Sequence, residues 1–209
     1  MSILVAMMGS GASVVATDSR RIESDGTVHD DAKKTFRLPK ISAVGGHTGL
    51  LEFGGKTIPE WLDTISLEGV RTMDEYLAKV ARLLEIEMTK IADAEVDFKH
   101  RAATVVLIGR AGLKPGTAIS IQTVEASPDE SSRTVVSKID SFPISCTRGE
   151  PAAQRVVDAL LAKNGMQRLP RKRLHRFVRR LVAAGISASG NAPDRDVRAC
   201  GGPPQFEYL

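Results

Sequence analysis

Three residues near the amino terminus are of types that together could hydrolyse an amide bond: Ser2, Asp18 and Lys34. Ser2 follows Met1 directly, and removal of that methionine would leave a serine with a free α-amino group. An α-amino group titrates near pH ~7.7–8.0, so a useful fraction is neutral at cytoplasmic pH. A hydroxyl is a poor nucleophile until a base takes its proton. Nucleophile and base could therefore be one residue, with no histidine required.

Such a site also needs a fixed cation and a carboxylate that holds the cation in place. Lys34 could favour the neutral amine and the forming alkoxide, and Asp18 could orient Lys34. Backbone N–H groups in the glycine-rich segment that includes Gly46 could stabilise the oxyanion. A bland alternative stays open on spacing alone: Ser2 is an exposed terminus, Asp18 and Arg20 form a surface pair, and Lys34 ends a solvated strand.

Alternating and apolar patterns predict the elements that would carry these residues. A buried strand at Ile3–Met8 turns at Gly9–Ala12 and returns as Ser13–Thr17. Further strands are expected within Thr27–Asp30, Lys34–Leu38 and Ile41–Val44, then a turn at Gly45–Gly49 and a helix from Leu50 to about Ile65.

The second half of the chain predicts further strands and a second pair of helices. A capping box at Thr72–Glu75 starts a long amphipathic helix. The remaining predicted elements are strands at Ala103–Ile108, Thr117–Val124 and Thr134–Ile139, helices at Pro151–Lys163 and Arg171–Ala184, a short strand at Asp196–Cys200 and a Pro-rich tail from about residue 201. Strands that alternate with helix pairs favour packed sheets with helices on their outer faces.

The composition fits a single domain that spans residues 1–209. Hydrophobic residues make up 42% and charged residues 26% of the 209 residues, which is ordinary for a globular protein. The most apolar stretch, near the amino terminus, lacks a charged leading segment and is interrupted by Gly9–Gly11, so neither a signal peptide nor a membrane span is expected. Cys146 and Cys200 and four scattered histidines show no metal-ligand spacing, which favours a cytoplasmic protein without a required cofactor.

These segments resemble the proteasome β-subunit family, including the HslV-type protease rings, within the N-terminal nucleophile (Ntn) hydrolases. The resemblance rests on Ser2 before an apolar strand and on three segments: Ala16–Arg20, Lys33–Phe36 and Gly45–Gly49. It implies an α+β fold, a four-layer αββα sandwich of two antiparallel sheets flanked by helix pairs. It also implies a peptidase with Ser2, Asp18, Lys34, Gly46 and Ser189 as site residues, a homo-oligomeric ring, an ATPase unfoldase as a possible partner, and peptide or protein substrates.

Departures from that family's pattern leave other functions open. Serine replaces the usual threonine, and Thr147–Gly149 replaces a supporting Gly-Ser-Gly turn, so that Arg148 stands where a hydroxyl is expected. The segment Ile186–Gly190 lacks an aspartate, and by likeness to HslV-type members the carbonyls of Ala183, Ile186 and Ser189 would hold a monovalent cation. The alternatives are a non-catalytic ring or scaffold subunit, an amidase acting on a small amide, and a nucleic-acid-associated protein that uses the basic segment Arg168–Arg180.

Overall fold

The structure is a computed structural model that describes most of the chain. The described residues are 2–22, 27–49, 52–93, 103–110, 112–113, 119–126, 134–139, 145–149, 151–164, 169–190 and 200–209, with only the backbone given for 91–93, 119–126, 134–139 and 145–149. In chain order the strands are β1 (Ile3–Met8), β2 (Ser13–Thr17), β3 (Arg21–Ile22), β4 (Val28–His29), β5 (Thr35–Leu38), β6 (Ala43–Gly49), β7 (Glu52–Phe53), β8 (Lys56–Thr57), β9 (Ala103–Arg110), β10 (Ile119–Ala126), β11 (Thr134–Ile139), β12 (Ser145–Gly149) and β13 (Gln205–Tyr208). The helices are α1 (Ile58–Thr64), α2 (Met73–Asp93), α3 (Pro151–Asn164) and α4 (Arg171–Gly190). The predicted α+β class is confirmed.

The first sheet has the antiparallel strand order β12-β1-β2-β13. Its predicted central hairpin is confirmed, with Leu4 opposite Thr17 and Met8 opposite Ser13. The turn closes with a hydrogen bond of 2.8 Å from the Gly9 N–H to the Ala12 carbonyl. Gly11 has a φ of +73°, a conformation that costs glycine little.

The second sheet has the antiparallel order β11-β10-β9-β6-β5. The turn predicted at Gly45–Gly49 was wrong, because this segment belongs to β6, where Gly46 lies opposite Thr35 on one side and Val106 on the other. The reason for glycine at this point is close packing between the sheets. A Cβ at Gly46 would come within 2.9 Å of the side chains of Leu4 and Val15.

Within the described residues, three apolar clusters hold the layers together. Residues of β1 and β2 pack against residues of β6 and β9 in the cluster Leu4, Ala6, Val15, Val44, Val106 and Ile108. The outer side of β1 and β2 packs against α3 and α4, and β5, β6 and β9 pack against α1 and α2. Because both sides of β1 are covered, every one of its residues from Ile3 to Ala6 is fully buried.

The helix predicted from Leu50 starts later than expected. It begins at Ile58, and the preceding residues from Glu52 to Thr57 form the short β7–β8 hairpin. Gly54 and Gly55 have φ values of 56° and 73°. Two consecutive residues with positive φ form the tight turn of a hairpin, and they are incompatible with a right-handed helix. The capping box of the next helix is confirmed, since the Glu75 N–H donates to Thr72 Oγ1 and the Thr72 N–H donates to Glu75 Oε2.

The carboxyl-terminal segment is more ordered than its sequence indicated. The predicted Pro-rich tail contains β13, which pairs along β2 with Phe206 opposite Ala16. Cys200 is in no strand, while the rest of the strand predicted there lies outside the described residues. The turn predicted at Thr147–Gly149 is part of β12, paired with β1.

None of the helices in the described ranges is both long enough and apolar enough to cross a membrane.

Candidate active site

Ser2, Asp18 and Lys34 meet where three strands begin or end. Ser2 directly precedes β1, Asp18 directly follows β2, and Lys34 directly precedes β5. The Lys34 ammonium donates a hydrogen bond of 2.6 Å to Ser2 Oγ. All three residues are buried, with exposures of 2% for Ser2, 0% for Asp18 and 2% for Lys34. The bland alternative of an exposed terminus and a solvated strand end is therefore wrong for this structure.

Asp18 is the anchor of the cluster, because both of its carboxylate oxygens accept backbone hydrogen bonds. Oδ1 accepts the Ile3 N–H at 3.0 Å, and Oδ2 accepts the Gly201 N–H at 3.1 Å and the Arg20 N–H at 3.3 Å. Lys34 Nζ lies 3.4 Å from Oδ1. One side chain thus fixes the start of β1, the carboxyl-terminal segment and the lysine.

Burial shifts the titration of both charged groups. Burial lowers the pKa of Lys34 below its ordinary value, and the charge and hydrogen bond of Asp18 oppose that shift. Burial raises the pKa of Asp18, while Lys34 and three backbone N–H groups pull it down. A lysine whose pKa is lowered, in contact with a hydroxyl, can exchange or share a proton with that hydroxyl more readily than a surface lysine can.

Arg20 supports the lysine through its backbone rather than through a pair with Asp18. Lys34 Nζ also donates to the Arg20 carbonyl oxygen. The Arg20 guanidinium binds Asp30 with two hydrogen bonds, at 2.8 and 2.9 Å. These bonds are the main reason that the pKa of Asp30 is lowered. The surface pair between Asp18 and Arg20 considered from the sequence is replaced by the Arg20–Asp30 pair.

Two residues of the carboxyl-terminal segment belong to the site and were missed from the sequence. Gln205 Oε1 accepts the Lys34 N–H at 2.9 Å and the Thr35 N–H at 3.4 Å, and its Nε2 donates to the Ala32 carbonyl at 2.7 Å. Gly201 supplies one of the N–H groups on Asp18. Gln205 is 171 residues from Lys34 along the chain and lies in a segment whose sequence predicts a Pro-rich tail, so no local signal points to either residue.

Gly46 lies beside this cluster but its amide points elsewhere. The His47 N–H donates to the Lys34 carbonyl at 3.0 Å, across the β5–β6 ladder. Successive N–H groups of a strand point to opposite sides, so the Gly46 N–H faces β9 and not Lys34. The Gly46 N–H thus belongs to the β6–β9 pairing, and the role of Gly46 as oxyanion donor stays a sequence-based prediction.

Ser189 reaches the site indirectly, through Cys200. Its Oγ accepts the Cys200 N–H at 3.2 Å, and the next residue, Gly201, binds Asp18. Ala183, Ile186 and Ser189, predicted to hold a monovalent cation, lie within the continuous helix α4. Helical carbonyls run parallel to the axis and accept N–H groups four residues on, so we expect those of Ala183 and Ile186 to be engaged within the helix.

The part of the chain that the structure describes contains no group of three or more His, Cys, Asp or Glu side chains that could hold a metal ion. The cation site stays a prediction.

The candidate site is therefore of the serine–lysine type: a buried serine hydroxyl accepts a hydrogen bond from a lysine ammonium, on an α+β fold of packed antiparallel sheets. Among solved structures, the chain is similar to Anbu (ancestral beta-subunit) from Yersinia bercovieri, with a TM-score of 0.61 and 16% identity over 99% of this chain and 80% of that chain. It is also similar to an Anbu (Gly-1) mutant from Hyphomicrobium sp. strain MC1, with a TM-score of 0.66 and 14% identity over 99% of this chain and 80% of that chain. These likenesses establish the fold alone.

The comparisons correct the family assignment made from the sequence. No family model matches the chain, and no curated protein matches it. Both structures described above are Anbu proteins, so the assignment to the proteasome β-subunit and HslV-type family is wrong. The comparisons support only the coarser part of that assignment, a proteasome-like fold similar to that of Anbu proteins.

Proposed function

We propose that this protein is an N-terminal nucleophile hydrolase that cleaves peptide bonds through Ser2. The observation that carries the proposal is the hydrogen bond of 2.6 Å between Lys34 Nζ and Ser2 Oγ in a buried site that also holds Asp18. The paired antiparallel sheets and their flanking helices support a four-layer αββα sandwich formed by residues 1–209 as one domain. That is the fold such a nucleophile would need, because it places the starts of β1 and β5 and the end of β2 together.

The reaction begins after the loss of Met1, when the Ser2 nitrogen becomes a free amine. The amine takes the proton from Oγ, and Oγ attacks the carbonyl carbon of the substrate. Lys34 donates its hydrogen bond to Ser2 Oγ as negative charge develops on that oxygen, and Asp18 keeps the Lys34 ammonium in place. The tetrahedral intermediate expels the amine half of the substrate, which takes the proton, and leaves an ester on Ser2. Water then hydrolyses the ester and restores the hydroxyl.

Removal of Met1 is a requirement of this mechanism. While Met1 is present, the Ser2 nitrogen is an amide nitrogen, which has no useful basicity, and its removal converts that nitrogen into an amine. Ser2 is only 2% exposed, so attack also requires room for a substrate carbonyl beside Oγ. The unprocessed chain is therefore expected to be inactive.

The proposal extends to the setting in which the enzyme works. It is a cytoplasmic protein that assembles into a homo-oligomeric ring, takes peptide or unfolded protein substrates, and requires no cofactor. An ATPase unfoldase is a possible partner in the supply of substrates, and a small amide is the alternative substrate class. The Anbu likeness supports the oligomeric part of this proposal through the fold that it shares with a protein described as a beta-subunit.

A second candidate function is a non-catalytic scaffold subunit of the same fold, and the burial of Ser2 favours it. In that case the hydrogen bond from Lys34 to Ser2 would be structural. The intact mass of the purified protein separates the two functions. Loss of Met1 supports the enzyme, and full retention of Met1 in the purified protein and in cell extracts supports the scaffold.

Substitution of the nucleophile tests the enzyme directly. The processed protein is expected to hydrolyse members of a panel of fluorogenic peptides, and Ser2→Ala is expected to abolish turnover. Ser10→Ala, which changes an exposed serine in the β1–β2 turn, is the matched control and should keep full activity. Peptide hydrolysis that persists unchanged in processed Ser2→Ala protein would contradict the proposal.

A further inference from the structure

A cavity lies between the start of α4 and the end of β13. It has a volume of about 830 Å³ and is lined by Arg171, Lys172, His175, Arg176 and Tyr208. We call this cavity the α4 groove. None of its lining residues contacts Ser2, Asp18 or Lys34 through the hydrogen bonds described above, so the groove is a separate feature from the candidate active site.

The groove has a concentrated positive charge, and no carboxylate in the described part of the chain forms an ion pair with it. Helix α4 has no acidic residue over its whole length. The ion pairs formed within the described ranges include none of its six Lys and Arg side chains. These six are Arg171, Lys172, Arg173, Arg176, Arg179 and Arg180, all exposed. Cations in the first turn of a helix also oppose the helix dipole, which favours negative charge there. The arrangement costs stability unless an anion is present.

Aromatic contacts hold part of this charge in a fixed position. Tyr208 is tied to the first sheet, opposite Val14 of β2. The His175 ring stacks on the Tyr208 ring at 5.7 Å, and His175 Nδ1 forms a hydrogen bond with the Tyr208 hydroxyl. The Arg171 guanidinium lies 5.7 Å from the centre of the Tyr208 ring. The Arg171 guanidinium is thus held over the ring, and the N–H groups along its edge can bind oxygen atoms.

The chemistry of the lining selects one kind of occupant. A volume of this size is within the range of about 300–1,000 Å³ that is usual for small-molecule sites. Among the described lining residues, the apolar surface comes from the side-chain stems of the arginines and the lysine and from the His175 and Tyr208 rings, and none is an aliphatic residue. Its one phenol ring is already engaged by Arg171 and His175, so it is a poor platform for a stacked base. Three permanent cations in one cavity match a compact group with several negative charges, and arginine binds phosphate oxygens in pairs. We propose that the α4 groove binds a compact polyphosphate, either free or as part of a nucleotide.

Calorimetric titration with inorganic tripolyphosphate tests this site on the full chain. Saturable binding that weakens as salt rises is expected. The double variant Arg171→Gln/Arg176→Gln is expected to weaken it at least about tenfold, because two charge-assisted contacts are lost. The matched control is Arg179→Gln/Arg180→Gln, which removes the same charge from α4 outside the groove and should bind within about threefold of the unaltered protein.

Further arms of the experiment identify the source of the phosphate and guard against misfolding. Equal affinity for ATP and tripolyphosphate indicates that only the phosphate chain is bound, and tighter binding of ATP indicates a nucleotide; both support the site. The groove variant should melt no lower than the unaltered protein without ligand, because it relieves repulsion. Three outcomes overturn the proposal: no tripolyphosphate binding, equal binding by the groove variant, or binding only of a poly-glutamate peptide or a single-stranded oligonucleotide.

Discussion

Replacement of Asp18 by asparagine probes the site most directly, because the two side chains have the same shape and differ in charge and in one donor group. Oδ1 of Asp18 accepts the Ile3 N–H and is 3.4 Å from Lys34 Nζ, and Oδ2 accepts the N–H groups of Gly201 and Arg20. An asparagine has one oxygen and one NH₂ group. Whichever position the NH₂ group takes, it faces at least one backbone N–H that then has no acceptor.

The expected cost follows from these contacts. A buried donor left without an acceptor costs about 1–3 kcal/mol, and removal of one partner from a buried ion pair costs about 3–5 kcal/mol. Lys34 limits the second cost, because a buried lysine without a carboxylate can lose its proton. We therefore expect Asp18→Asn to lower the free energy of unfolding by about 3–5 kcal/mol, a large part of the ~5–15 kcal/mol typical of a domain.

Urea unfolding followed by circular dichroism gives this number, and Asp30→Asn is the matched control. Asp30 pairs with Arg20, and its side chain is 41% exposed, so its replacement is expected to cost less than about 1 kcal/mol. If Asp18→Asn cost no more than Asp30→Asn, the reasoning would be refuted. Asp18 would then be protonated in the folded protein, as burial alone would make it, and would not act as the counter-charge of Lys34.

Three further outcomes follow from the same structure. Gln205→Leu removes the acceptor of two backbone N–H groups at the start of β5; it should lower the free energy of unfolding by about 1–3 kcal/mol and lower peptide turnover, and unchanged values for both would contradict the role of Gln205. Gly46→Ala brings a methyl group within 2.9 Å of side chains on β1 and β2 and should lower the free energy of unfolding by about 1–3 kcal/mol. Calorimetry measures this loss, and Gly190→Ala, which adds a methyl group in open space, is the control. Burial lowers the pKa of Lys34, so between this value and about 10.4 the unfolded chain binds more protons than the folded chain. Stability relative to Lys34→Met should therefore rise with pH through that window, and a flat or falling difference in urea unfolding would rule the shift out.

Local patterns in the sequence were sufficient to predict most elements and to single out three residues that the structure brings into contact. The apolar run of β1, the turn at Gly9–Ala12 and the capping box of α2 are signals between near neighbours in the chain, so they need no knowledge of the fold. The same applies to Ser2, Asp18 and Lys34. Each follows or precedes a recognisable strand, and Ser2 and Asp18 lie close together because β1 and β2 pair as an antiparallel hairpin. Lys34 precedes β5, which belongs to the second sheet, so its contact with Ser2 depends on how the two sheets pack.

The tertiary structure decided the features that depend on distant contacts. Gly46 looked like part of a turn, but it is a glycine because two sheets approach there, and a local window does not show a neighbouring sheet. Gln205 and Gly201 looked like parts of a tail, and they become site residues only because β13 pairs with β2 and brings them to Lys34 and Asp18. Packing decided these positions because a side chain's partner across a sheet or between layers is set by the fold, while sequence reports mainly on residues a few positions away.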